Sequence, residues 1–135
     1  PQERIRFRNL MVELSRERII IFSTHIIEDI SRSCNRLAVL NKGRLRYFGK
    51  PRDMSDKAEG RVWQFYAGID EFNEIHDNYR IVYHMREDDR IRIRCLADNA
   101  PRPDAESVKP TLEDAYLWLL DEDNRKKEMP EYAEE

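Results

Sequence analysis

Glycine is scarce in this chain: four residues in 135, too few and too scattered for a glycine-rich loop that would cradle a phosphate. Long apolar runs are missing as well. Nothing approaches the roughly 20 residues of a membrane-spanning helix, and no signal-peptide pattern opens the sequence, so any membrane role is expected to act through a partner. Cysteine is limited to Cys34 and Cys95, far apart and in no metal-ligand spacing; they are expected to be buried thiols of a reducing cytosol. Basic charge does not dominate either, with 24 Lys and Arg against 27 Asp and Glu, a balance that gives no reason to expect general nucleic-acid affinity, which needs a clustered positive surface.

What is present is a charged chain, 38% Asp, Glu, Lys and Arg, with 40% apolar residues, enough for a real core in one domain or two small ones. Its organising stretch is Ile19-Ile20-Ile21-Phe22-Ser23-Thr24-His25. Four apolar residues ended by a small polar pair and a histidine predict a strand over about 18–23, buried on both faces and delivering His25 at its carboxyl end. In open α/β sheets ligands gather beyond that end of the strands, and an imidazole there donates a hydrogen bond to an anionic group. A satisfied structural histidine is the alternative.

The stretch is flanked by a predicted helix over about 1–15, where Phe7, Leu10, Met11 and Leu14 recur at the spacing of one buried face, and Arg4, Arg6 and Arg8 are read as solvated. A helix over about 26–32 follows, with Glu28 and Asp29 favoured in its first turn by the helix dipole. Leu37-Ala38-Val39-Leu40 predicts a second, fully apolar strand. Asn41-Lys42-Gly43 turns it into a hairpin partner over 44–48, and Pro51 opens a short helix.

These residues carry a resemblance. Ser23-Thr24-His25-Ile26-Ile27-Glu28-Asp29, then Cys34-Asn35-Arg36-Leu37-Ala38-Val39-Leu40, Lys42-Gly43-Arg44-Leu45 and Gly49-Lys50-Pro51, resemble in order the final third of an ATP-binding cassette (ABC) ATPase, the nucleotide-hydrolysing subunit of membrane transporters. His25 falls on that family's switch histidine, and Pro1-Gln2-Glu3-Arg4 resembles the residues directly after its D-loop aspartate. Pro110-Thr111-Leu112-Glu113-Asp114-Ala115-Tyr116 resembles the closing helix of drug and antibiotic exporter ATPases. The resemblance implies a fragment of a P-loop ATPase core, parallel strands with helices, over residues 1–58. It also implies ATP and Mg2+ as cofactors of the intact protein, with His25 as catalytic and nucleotide-contacting residue and no metal ligand in this chain. Its implied partners are a membrane permease and a second ATPase subunit, at the cytoplasmic face of the cell membrane. The phosphate loop, the signature motif and the strand bearing the magnesium-binding aspartate and catalytic glutamate are not in the sequence. The chain is therefore expected to be the carboxyl-terminal part of a longer ATPase and to hydrolyse nothing by itself.

From about residue 59 the pattern changes. Alternation in Trp63, Phe65 and Ala67, a short helix with Phe72 and Ile75 inward, and two strands over 79–86 and 90–96 joined by Glu87-Asp88-Asp89 precede a final helix. Thr111 and Asp114 stand at the capping-box positions of that helix. This order predicts a small α+β accessory domain over 59–120, close to a ferredoxin-like sandwich, then a charged tail over 121–135. Arg90, Arg92 and Arg94 are read as a solvated strand face, Trp63 and Trp118 as core anchors, and His76 and His84 as lacking a ligand set. A non-enzymatic ligand-sensing or dimerisation module is the alternative function.

Overall fold

Two antiparallel sheets, not a parallel layer, organise this protein, whose computed structural model describes residues 1–128. The chain runs α1 (Gln2–Leu14), α2 (Ile27–Ser31), β1 (Leu37–Asn41), β2 (Arg44–Gly49), α3 (Pro51–Asp56), β3 (Val62–Gly68), a 3-10 turn over Ile69–Glu71, α4 (Phe72–Asn78), β4 (Arg80–Glu87), β5 (Arg90–Leu96), β6 (Glu106–Ser107) and α5 (Leu112–Glu128). The first sheet is the β1–β2 hairpin. The second has the order β4-β5-β3-β6, every neighbour antiparallel.

This corrects the expected fold class. No parallel pairing occurs among the described residues, and 19–24 is irregular backbone rather than a strand. Ile19 and Ile21 are 93% and 91% exposed. The physical reason is that an all-apolar run states a demand for burial on both faces but does not supply the neighbouring strands that would meet it. The ferredoxin-like sandwich fails on order: α5 follows the two-residue β6 instead of preceding the fourth strand, and it packs chiefly against α3. Helix α1 forms where its pattern predicts, yet none of its residues is buried, and Phe7 and Leu10 stay 59% and 51% exposed.

The local chemistry elsewhere matches the backbone. Lys42 and Gly43 both have positive φ, 51° and 74°, as the two-residue hairpin turn between paired Asn41 and Arg44 requires. In β1 only Leu37 and Val39 turn inward while Leu40 is 70% exposed, so this strand has one buried face rather than the two expected. Pro51 stands at the start of α3, where its missing N–H costs nothing.

The core has two clusters. Leu37, Val39, Tyr47, Met54, Ala58, Val62, Leu96, Leu112, Ala115, Trp118 and Leu119 form the first, which draws on residues from both sides of position 59. Phe65, Ala67, Ile75, Ile91, Ile93 and Cys95 form the second, where the inward row of β5 meets α4 across one sheet face. Both tryptophans act as anchors, with Trp118 only 5% exposed and the Trp63 indole N–H donating to the Ala97 carbonyl at 3.1 Å. Helix α5 continues into the predicted charged tail as far as Glu128; positions 129–135 lie outside the described residues, as do the Glu28 and Asp29 side chains.

Candidate functional site

His25 occupies the tip of a turn rather than the end of a strand. The Thr24 hydroxyl oxygen accepts the Ile26 backbone N–H at 3.0 Å, a side chain to backbone closure two residues apart that folds the chain back over position 25. The imidazole is exposed, and with Thr24 it lines a cleft of about 230 Å³. The other walls are apolar: Ile27 and Ile30 of α2, Leu37 to Leu40 of β1, Met54 of α3, and Leu112 and Tyr116 of α5. Thr24 also borders a second, larger hollow of about 410 Å³ in front of α1, lined by Arg4, Arg8, Phe7, Met11, Phe22, Ser23 and Ser33 among others. The turn therefore stands as a partition between an apolar cleft and a more polar one.

The chemistry available here is narrow. An exposed imidazole on a braced turn can donate to, or accept from, a ligand that approaches from solvent. The 410 Å³ hollow adds two guanidinium groups on α1 at one side of the turn. Among the described residues no three His, Cys, Asp or Glu side chains gather as a metal site. By themselves these residues do not fit ATP and Mg2+: the imidazole borders the apolar cleft, whereas Arg4 and Arg8 line the other hollow together with the Glu3 carboxylate.

The histidines expected to lack ligand sets are placed apart from this turn. His84 meets Phe72 in a tilted ring contact with centroids 4.5 Å apart, and His76 Nδ1 lies 3.5 Å from Asp77. Cys34 and Cys95 are free thiols; burial pushes the Cys34 thiol up from its ordinary value and Cys95 up to about 11.

The sequence pattern missed the ionic work of α5. Arg94 is not a solvated strand cation: its Nε and Nη2 donate to both oxygens of Asp114, at 3.0 and 2.5 Å, and Asp114 is fully buried. That carboxylate raises the guanidinium above its ordinary value, and it also accepts the Thr111 backbone N–H at 2.7 Å. Further along, Asp121 pairs with Arg80 of β4, and Asp123 meets Arg46 of β2 at 2.5 Å and the Asn41 amide at 2.9 Å. The Thr111–Asp114 cap was visible in the sequence. Its arginine partner was not, because alternation along β5 shows which face Arg94 occupies but not what covers that face.

Similarity to known proteins is confined to part of the chain. It is 41% identical over 56 residues, 41% of its length, to a Nod factor export ATP-binding protein I of Rhizobium etli. It is 38% identical over 63 residues, 46% of its length, to the protein of that name in Mesorhizobium japonicum. An uncharacterised ABC transporter ATP-binding protein of Methanocaldococcus jannaschii is 41% identical over 51 residues, 37% of the chain. The matches span only 18%, 18% and 20% of those proteins. No family model and no solved structure matches the chain. The chain thus has distant, partial homology to ABC transporter ATP-binding proteins.

Proposed function

We propose that this chain is the carboxyl-terminal part of the ATP-hydrolysing subunit of an ABC transporter that couples nucleotide turnover to export through a membrane permease. The partial identity to export ATP-binding proteins is the observation that carries it. In this reading residues 1–58 complete the ATPase domain, 59–120 form an accessory region and 121–135 a charged tail. ATP and Mg2+ belong to the intact protein, which pairs with a second ATPase subunit and a permease at the cytoplasmic membrane face.

The structure supports an assignment of roles without containing a nucleotide site. Ile19 and Ile21 are an exposed apolar run, and His25 follows four residues later with its imidazole exposed. In the intact subunit His25 hydrogen-bonds the terminal phosphate of ATP, where charge changes during hydrolysis. Hydrogen-bond donors at such positions act through charge stabilisation rather than covalent chemistry. The chain alone turns over no ATP.

The test joins this chain to the preceding segment of its own reading frame and compares His25→Ala with the parent. Turnover is expected to fall on the order of 10²-fold, the usual loss of one donor to developing charge, with nucleotide affinity nearly unchanged. Equal turnover rejects the role of His25. The other reading, a non-enzymatic ligand-sensing or dimerisation module, would give the accessory region a binding role beside the enzymatic one. A small ligand that raises the unfolding midpoint of the chain and protects residues 61–120 from hydrogen exchange would establish that role.

A further inference from the structure

We propose that α5 is a positioning element for the His25 turn, acting through α2, which packs on the cluster that holds Leu112, with three aspartates tying the helix to the sheets. The proposal rests on the role given to His25 above and names what holds that residue in place.

Three observations converge. First, Leu112 and Tyr116, distant in sequence, line the same cleft as Thr24 and His25. Second, α2, which begins two residues after His25, lies against α5, and its Ile27 and Ile30 pack on the cluster containing buried Leu112, Ala115 and Leu119. Third, α5 is tied at separate points to β5 by Asp114–Arg94, to β4 by Asp121–Arg80 and to the hairpin by Asp123 with Arg46 and Asn41. The first of these pairs is bidentate and desolvated, the geometry in which a carboxylate and a guanidinium fix one another's position as well as their energy.

The mechanical consequence follows from packing. Helix α2 has five residues and no side-chain cap, so it has little stability of its own and takes its position from what it packs on. What it packs on is the cluster to which α5 contributes Leu112, Ala115, Trp118 and Leu119, beside Leu37 and Val39 of β1 and Met54 of α3. The turn before it carries the Thr24 hydroxyl closure onto the Ile26 N–H and leads directly into α2, so displacing α5 is expected to shift the imidazole together with α2. The accessory sheet is coupled to the histidine by this route: any partner or ligand that alters the sheet at Arg94 or Arg80 acts on the His25 turn through α5.

The imidazole itself reports the result. The chain has three histidines, so isotope-labelled histidine gives three ring signals in the full-length protein. Tyr116→Ala is expected to displace the His25 signal while His76 and His84 stay in place, and Tyr116→Phe, which keeps the ring, is expected to restore it. Leu112→Val, a smaller truncation of the same wall, is expected to displace the same signal and serves as the measurement if Tyr116→Ala does not fold. An unmoved His25 signal in a folded variant overturns the proposal, as does equal displacement of all three. In the ATPase joined to its preceding segment, Tyr116→Ala is expected to lower kcat about tenfold with KM for ATP held within about twofold, the pattern of a misplaced group rather than lost binding. A loss confined to KM overturns it. Because the ring signal needs no nucleotide, a displaced His25 signal together with normal turnover in His25→Ala would reject the catalytic reading and leave the positioning intact.

Discussion

Gly49 shows how much one residue can decide. Its φ is +155°, and a Cβ built there would lie 2.7 Å from the Tyr47 hydroxyl oxygen, which itself donates to the Lys50 carbonyl at 2.6 Å. Alanine must therefore adopt a conformation that suits glycine and also push aside a buried ring. Gly49→Ala is expected to cost about 2 kcal/mol, read as a lower urea midpoint at unchanged slope. Part of that loss should return in a Tyr47→Phe background, where the colliding oxygen is gone; equal losses in both backgrounds would show that φ alone is responsible. The Gly49-Lys50-Pro51 break was legible in the sequence, but the tyrosine that enforces it was not.

Cys95 gives a residue-scale test with a sign. Burial holds its thiol at about 11 against 9.0 in the unfolded chain, so between those values the unfolded chain releases a proton that the folded chain keeps. The contribution is fully present below pH 9.0 and is lost as pH rises towards 11. The loss over that window is on the order of 2 kcal/mol. Chemical unfolding across the window should show a smaller loss in Cys95→Ala than in the parent, the remainder coming from groups such as Cys34 and Tyr47 that burial also raises.

Element by element, the sequence was most informative where local chemistry decides. The Asn41-Lys42-Gly43 turn, the proline at the head of α3, the β4–β5 hairpin and the Thr111–Asp114 cap are all present. Each depends on residues within a few positions of one another. The arginine row of β5 shows the limit. Its alternation correctly places Ile91, Ile93 and Cys95 inward, yet Arg94 on the other face neutralises a buried carboxylate of α5. Asp114→Ala removes the helix cap and strands Arg94 at once, and is expected to cost about 3–5 kcal/mol in equilibrium unfolding. Replacing both members, Arg94→Met with Asp114→Leu, should cost clearly less than that single change, because no unpaired charge is left behind. A double variant as damaged as Asp114→Ala would assign the loss to the cap and not to the ion pair.

For the molecule as a whole, the dominant feature is apolar surface with nothing on it. Ile19 and Ile21 lie almost wholly exposed, and Ile5, Phe7, Leu10 and Val12 of α1 and Leu40, Leu45 and Phe48 of the hairpin are more than 45% exposed. Surface of this kind marks an interaction face or drives association. The isolated chain is expected to self-associate with increasing concentration in sedimentation velocity, and the double change Ile19→Lys, Ile21→Lys should reduce this. The unfolding free energy should move by less than about 0.5 kcal/mol, since neither side chain contributes to the core. Unchanged association in that variant would place the sticky surface on α1 or the hairpin instead.

The order of residues by itself determined which segments turn, cap and alternate, and it placed the ordered motifs from Ser23 to Pro51 beside those of ABC ATP-binding proteins. Such signals are local, and they survive whatever surrounds them. Only the tertiary structure decided that Ile19–Phe22 pairs with no strand, that α5 runs along the hairpin and the cleft of His25, and that Arg94 belongs to Asp114. An apolar side chain or a charge specifies the kind of partner it requires, whereas which partner it meets depends on the packing of segments remote in the chain.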